Sequence, residues 1–142
     1  MRLDSPEIQQ ASTPRKVPQA DLPLLVIEDE VSVQSLLRSA LKKHGYDLRI
    51  ASSGAEALEL LQHGDFRGVL CDMRMPGKVN GSDLHAWLCS HRPQLLSRMV
   101  FMTGDATGDD VAAVLTRTGV PCIEKPFRMN ELLTMLKKVL QS

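Results

Sequence analysis

Five times along this chain a short apolar run gives way to a stretch of helical periodicity, and no other feature limits the fold so tightly. Leu24-Leu25-Val26-Ile27 is continuous and apolar, as a strand buried on both faces reads. Val33, Leu36, Leu37, Ala40 and Leu41 then follow helical spacing, and Gly45 stands where a glycine closes a helix. Leu48-Arg49-Ile50 reads as a second strand. Ser53 with Glu56 reads as a capping box, opening a helix through Ala57, Leu58 and Leu61 that stops at Gly64. Gly68-Val69-Leu70-Cys71 leads to Asp72, and Leu84, Trp87 and Leu88 mark a helix opened by Ser82 and stopped before Pro93. Met99-Val100-Phe101-Met102 leads to Thr103, and Val111, Val114 and Leu115 lie on a helix closed by Gly119. Pro121-Cys122-Ile123-Glu124 leads to Lys125, and Leu132, Leu133, Leu136 and Leu140 make a last amphipathic helix.

Strict alternation of short apolar strands with helices predicts an α/β fold, a parallel sheet covered on both faces. A TIM barrel needs eight such units. Five predict an open, doubly wound five-stranded parallel sheet with five helices, which binds its ligands beyond the carboxyl ends of the strands, where strand order reverses.

The 142 residues suffice for one domain with a real core. Four of the prolines, at 6, 14, 18 and 23, fall among Gln, Ser, Thr and charged residues, so residues 1–22 are expected to be a flexible Pro-rich tail or linker and 23–142 the domain. Seventeen basic and seventeen acidic residues balance to zero, which argues against coating nucleic acid or an anionic membrane. No run approaches the roughly 20 apolar residues of a membrane span, and the N-terminus lacks the apolar core of a signal peptide. Cys71, Cys89 and Cys122 have neither disulfide nor zinc spacing and read as buried free thiols, so a cytoplasmic location is expected. His44, His63, His85 and His91 form no ligand spacing and read as surface residues, and Trp87 as core or partial surface.

The polar residues that end the strands carry the chemistry. Glu28-Asp29 follows the first strand, Asp72 the third, Thr103 the fourth and Lys125 the fifth. Singly, each has an ordinary explanation as a helix-start acid, a turn residue, a polar loop or a solvated lysine. Together at one sheet edge they make a site. Three gathered carboxylates repel unless cations sit among them. Lys125 supplies one, and a hard divalent cation such as Mg²⁺ suits the rest. A carboxylate in that setting can act as a nucleophile toward phosphorus and form an aspartyl phosphate, with the threonine hydroxyl bonding a phosphoryl oxygen.

Val26-Ile27-Glu28-Asp29-Glu30, Leu70-Cys71-Asp72-Met73-Arg74-Met75-Pro76, Phe101-Met102-Thr103-Gly104 and Glu124-Lys125-Pro126-Phe127 resemble, in order and spacing, the four signature stretches of bacterial response-regulator receiver domains. The resemblance covers about residues 23–141 and implies a flavodoxin-like sheet of order 2-1-3-4-5, of which receivers are themselves a standard example. It implies Asp72 as phosphoacceptor; Asp29, Asp72 and the backbone carbonyl of Arg74 as Mg²⁺ ligands, with Glu28 acting through water; Thr103 as switch hydroxyl; and Lys125 as the phosphate-pairing lysine before a cis proline. It also implies that Arg74 and Asp105, each two residues past a reactive position, tune the phosphoryl lifetime. Their opposite charges could pair over the site, Arg74 could bond a phosphoryl oxygen directly, or the extra residue in the 77–81 loop could carry it away; the sequence leaves all three open.

Three features depart from the family pattern. The loop from Met75 to Gly81 is about one residue longer than usual, Cys122 stands where many members carry an aromatic, and Glu28 stands where Asp is commoner.

The implied partners are a sensor histidine kinase or histidine phosphotransfer protein and a downstream protein, with homodimerisation open and no direct nucleic-acid contact or membrane insertion. A stand-alone phosphorelay receiver, the receiver of a hybrid histidine kinase and an unphosphorylated interaction module remain alternatives. An aspartate-dependent phosphatase would want a second Asp where Arg74 stands.

Overall fold

The computed structural model of the protein describes residues 18–74, 77–105 and 107–141. It contains β1 Leu24–Ile27, α1 Val31–Lys43, β2 Leu48–Ala51, α2 Gly54–His63, β3 Gly68–Asp72, α3 Gly81–His91, β4 Met99–Thr103, α4 Asp109–Thr118, β5 Cys122–Glu124 and α5 Met129–Leu140. Two 3-10 stretches, Gln19–Asp21 and Pro93–Arg98, add to the five expected helices. The first lies within the stretch read as a tail; residues 1–17 of that stretch are outside the described residues. Among the described residues no helix is long and apolar enough to cross a membrane.

The five strands pair in parallel in the order β2-β1-β3-β4-β5. β1 lies between β2 and β3, with Ile27 opposite both Ala51 and Cys71. The central strands β1, β3 and β4 are buried at every position, which is why they read as unbroken apolar runs, whereas the edge strands β2 and β5 are not.

Alternate residues of the strands serve two separate cores. Leu25, Ile27, Val69, Cys71 and Phe101 pack with Ala57, Leu61, Leu84, Leu88 and Val111 from α2, α3 and α4. Leu24, Val26, Leu70, Val100 and Met102 pack with Leu37 and Leu41 of α1 and Leu132, Leu136 and Val139 of α5. Each fully buried Val, Leu, Ile, Phe or Met side chain among them stabilises the fold by about 1.5–3 kcal/mol. The chain therefore steps from β1 outward to β2, then back across β1 to β3. The crevice beyond the ends of β1 and β3 is the switch point of the sheet.

Local signals set most helix ends. α1 closes as a Schellman motif: Gly45, at φ +88°, donates to the Lys42 carbonyl and Tyr46 donates to Leu41. Two expected caps differ. Ser53 accepts from the Glu56 N–H, but Glu56 reaches back to the N–H of Ser52 instead of Ser53. α3 is opened by Asn80, whose reciprocal capping box with Asp83 replaces the expected Ser82 start.

Candidate functional site

The strand ends deliver their side chains to one edge, as their positions predict. Glu28 continues β1, its N–H donating to the Ala51 carbonyl, and is fully buried. Gln34 of α1 donates through Nε2 to the Glu28 carbonyl at 2.6 Å and to Ser52 Oγ at 3.2 Å, tying the β1–α1 turn to the start of α2. The Glu28 carboxylate accepts the Glu30 N–H at Oε2 and Lys125 Nζ at Oε1, 2.6 Å away. Asp72, also buried, accepts the Arg74 N–H at Oδ1 (3.2 Å) and Lys125 Nζ at Oδ2 (2.9 Å). One ammonium thus bridges two carboxylates contributed by adjacent strands.

Asp29 is exposed, and oxygens of Glu28, Asp29 and Asp72 lie within 4.8 Å of one another, a set that could hold a metal ion. A hard divalent cation takes carboxylate oxygens of this kind as ligands. Both oxygens of Glu28 already accept hydrogen bonds, as do both of Asp72, and Glu28 is the most deeply buried of the three.

Burial pushes the Glu28 carboxyl above its ordinary range; hydrogen bonds from Lys125 and Glu30 work against that, and the charge of Asp72 adds to it. For Lys125, burial opposes the charge, but the hydrogen bonds to Asp72 and Glu28 outweigh it and hold the ammonium above its usual value. Thr103, nearly inaccessible, ends β4 with Oγ1 accepting the Asp105 N–H at 3.2 Å, and its carbonyl accepts the Lys125 N–H at 2.7 Å. The Lys125–Pro126 bond is cis.

Of the arrangements open to Arg74, a direct pair with Asp105 is not formed. Arg74 Nη2 contacts Asp110, in the first turn of α4, at 3.1 and 3.2 Å. Asp105 Oδ1 is taken locally by the N–H and hydroxyl of Thr107, which together hold its pKa below the ordinary aspartate value. Met75 and Pro76 of the lengthened loop lie outside the described residues.

Two other expectations are corrected. His85 is buried, with Nδ1 3.7 Å from Cys89 Sγ, because it shares the core-facing stripe of α3 with Gly81, Leu84 and Leu88. Of the thiols only Cys71 is buried; Cys122 is half-buried and Cys89 exposed. Trp87 is half-buried and stacks on His91. Asp110 and Gln34 were not legible as site residues. An acid in the first turn of a helix is a faint signal for the first, and none exists for the second.

A doubly wound sheet of this order, with acids and a lysine meeting at its switch point, defines the receiver class of signalling domains. The chain belongs to the response regulator receiver domain family, whose model matches residues 24–137. It is 32% identical over 120 residues to the transcriptional regulatory protein CpxR homolog of Haemophilus influenzae, covering 83% of this chain and 50% of that protein. The chain spans about half or less of the length of the curated relatives it matches. Among solved structures it is similar to the non-phosphorylated HemR receiver domain of Leptospira biflexa (27% identity, TM-score 0.74, 85% of this chain and 95% of that one). It shares its fold with the receiver domain of a Pseudomonas aeruginosa sensor histidine kinase, which has magnesium in its active-site cleft (20% identity, TM-score 0.75, 85% and 98% covered). Receiver domains of this family are phosphoacceptor modules of two-component signalling and work with histidine kinases.

Proposed function

We propose that Asp72 accepts a phosphoryl group from the phosphohistidine of a sensor kinase or histidine phosphotransfer protein, and that the phosphorylated domain switches a downstream partner. The observation that carries this reading is the Asp72 carboxylate held 2.9 Å from the Lys125 ammonium, inside a cluster of three acids at the sheet's switch point. One oxygen of Asp72 attacks phosphorus and a P–O bond forms. The P–N bond to the donor breaks, its electron pair stays on the imidazole nitrogen, and that nitrogen takes up a proton.

Asp29 and Asp72, with the backbone carbonyl of Arg74, would hold Mg²⁺, and Glu28, fully buried behind them, would act through water. The three-carboxylate donor set fits a hard cation, in keeping with the magnesium of the P. aeruginosa domain. When bound, the ion neutralises charge on the phosphoryl oxygens. Lys125 pairs with one of those oxygens in exchange for Asp72 Oδ2. Thr103 accepts the Asp105 N–H, so its own hydroxyl proton is the group that would reach the phosphoryl.

Incubation with acetyl phosphate and Mg²⁺, followed by intact mass, should add a single acid-labile phosphoryl group to the wild type and none to Asp72→Asn. Asp29→Asn should lose the Mg²⁺ dependence. Full labelling of Asp72→Asn would place the acceptor elsewhere.

A further inference from the structure

Arg74 is held at both ends. Its backbone N–H donates to Asp72 Oδ1, so the residue rides on that side chain, while its guanidinium is drawn off to Asp110 on α4. The contact uses Nη2 alone against both carboxylate oxygens, so the planar fork that suits arginine to carboxylates and phosphates is not engaged. Gly108 lies beneath: a Cβ there would stand 3.3 Å from Asp105 Oδ2 and Asp110 Oδ1 and 3.6 Å from Arg74 Nη2. Both partners are well exposed, at 63% and 75%, so the pair is weak and readily exchanged.

α4 is the helix such a contact can govern. Val111 is its one buried residue, and its N-cap, Gly108, has no side-chain hydrogen bond. Its other end is fastened by the cap at Gly119 and by Arg117 Nη2 on Ser82 Oγ, 2.8 Å away.

We propose that Asp110 is a positioning residue that keeps the Arg74 guanidinium away from Asp72, and that a phosphoryl group on Asp72 takes that guanidinium from Asp110, releasing the first turn of α4 while its C-terminal end stays fastened. The inference rests on Asp72 as acceptor. The competition follows from charge. A phosphoryl group brings roughly −1.5 to −2 charges and three strong acceptor oxygens against the single charge of Asp110, and arginine pairs with either geometry. While Arg74 is paired, the binding-competent population is reduced, and the apparent affinity for the phosphoryl group falls with it.

The experiment titrates beryllofluoride, a phosphoryl mimic, with Mg²⁺ into wild type, Asp110→Asn, Arg74→Ala and the double variant, followed by amide NMR. Asp110→Asn should bind about two- to fivefold more tightly than wild type, the range an exposed pair allows. That gain should vanish when Asp110→Asn is made in the Arg74→Ala background. The amides of residues 107–112 in the unliganded Asp110→Asn and Arg74→Ala proteins should lie displaced toward their liganded wild-type positions. Equal affinity of wild type and Asp110→Asn overturns the competition. A gain that persists without Arg74 overturns it too, because Asp110 then acts by repelling the anion directly. Wild type that binds no beryllofluoride overturns the acceptor reading and this inference together, an outcome distinct from the other two.

Discussion

Lys125 sets its ammonium 2.6 Å from Oε1 of Glu28, a carboxylate with no solvent exposure, across 97 residues of chain. The contact closes the sheet edge between the β1 and β5 ends and makes the burial of an acid at the switch point tenable, since an unpaired carboxylate there would lose its hydration without replacement. The same ammonium serves Asp72, so the resting site is already arranged around a shared cation.

Removing that cation should cost more than one surface lysine. Lys125→Met keeps the apolar stem but leaves Glu28 Oε1 and Asp72 Oδ2 without their donor, and stability at neutral pH should fall by about 1–3 kcal/mol. Because the charges act as one unit, Lys125→Met combined with Glu28→Gln should lose less than the two single changes added together. Urea unfolding of the four proteins checks this, and strict additivity would show that the ion pair is not the source.

His85 should give the domain an acid-side weakness. Burial, and secondarily the charge of Arg117, hold its imidazole below the ordinary histidine value of 6.5. The unfolded chain therefore binds a proton that the folded one refuses. The stability linked to His85 is fully present above 6.5 and is lost as pH falls from there through the lowered folded value. His85→Gln should show a smaller stability difference between about pH 8 and about pH 5 than wild type, where histidine changes charge. Parallel pH profiles of the two proteins by thermal unfolding would argue against this.

The thiols should react in the order of their surroundings. Cys89 is exposed and should be alkylated first at about pH 8. Burial pushes the Cys122 thiol up to about 11, with the charge of Glu124 adding to it, so its labelling should climb only as pH approaches that value. Cys71 lies buried in β3, where desolvation raises its thiol further, and should stay protected until the protein unfolds. Peptide mapping after timed alkylation reads all three, and early loss of Cys71 would contradict the packing.

What could be read from residues alone follows a physical division. β1 was legible because a strand buried on both faces is apolar throughout, and Glu28, Asp72, Thr103 and Lys125 because polar groups at the ends of such runs must share one edge. Asp110 was not, because which helical acid meets Arg74 depends on how α4 is seated and rotated, and spacing along the chain does not encode that. His85 is an intermediate case. Gly81, Leu84, His85 and Leu88 run at i, i+3, i+4, i+7, so the stripe was present and the polar identity of one member concealed it. Asn80 and Asp83 likewise carry a capping-box spacing, which competes in the sequence with Ser82 as the start of α3.

The start of α2 offers the sharpest contest between local preference and packing. Gly54 is the first residue of that helix, and alanine in a helix interior is better than glycine by about 1 kcal/mol. A Cβ at Gly54, however, would fall 2.4 Å from the Val79 carbonyl oxygen and 2.7 Å from the Val79 Cβ, so the loop leading into α3 rests directly on this position. Backbone cannot yield as the tip of a flexible side chain can. Overpacking of this kind costs about 1–3 kcal/mol, and the first helical position realises only part of the propensity gain. Gly54→Ala should therefore be destabilising overall, and it should shift the amides of residues 77–81, including the Asn80 cap of α3. Gly104→Ala is the matched control: among the described residues, its chain neighbours aside, no atom lies within 4 Å of its Cβ position, so the change should be neutral or stabilising by up to about 1 kcal/mol. Urea unfolding with amide NMR of both variants decides it, and a Gly54→Ala protein as stable as Gly104→Ala, with residues 77–81 unmoved, would show that the loop does not rest on α2.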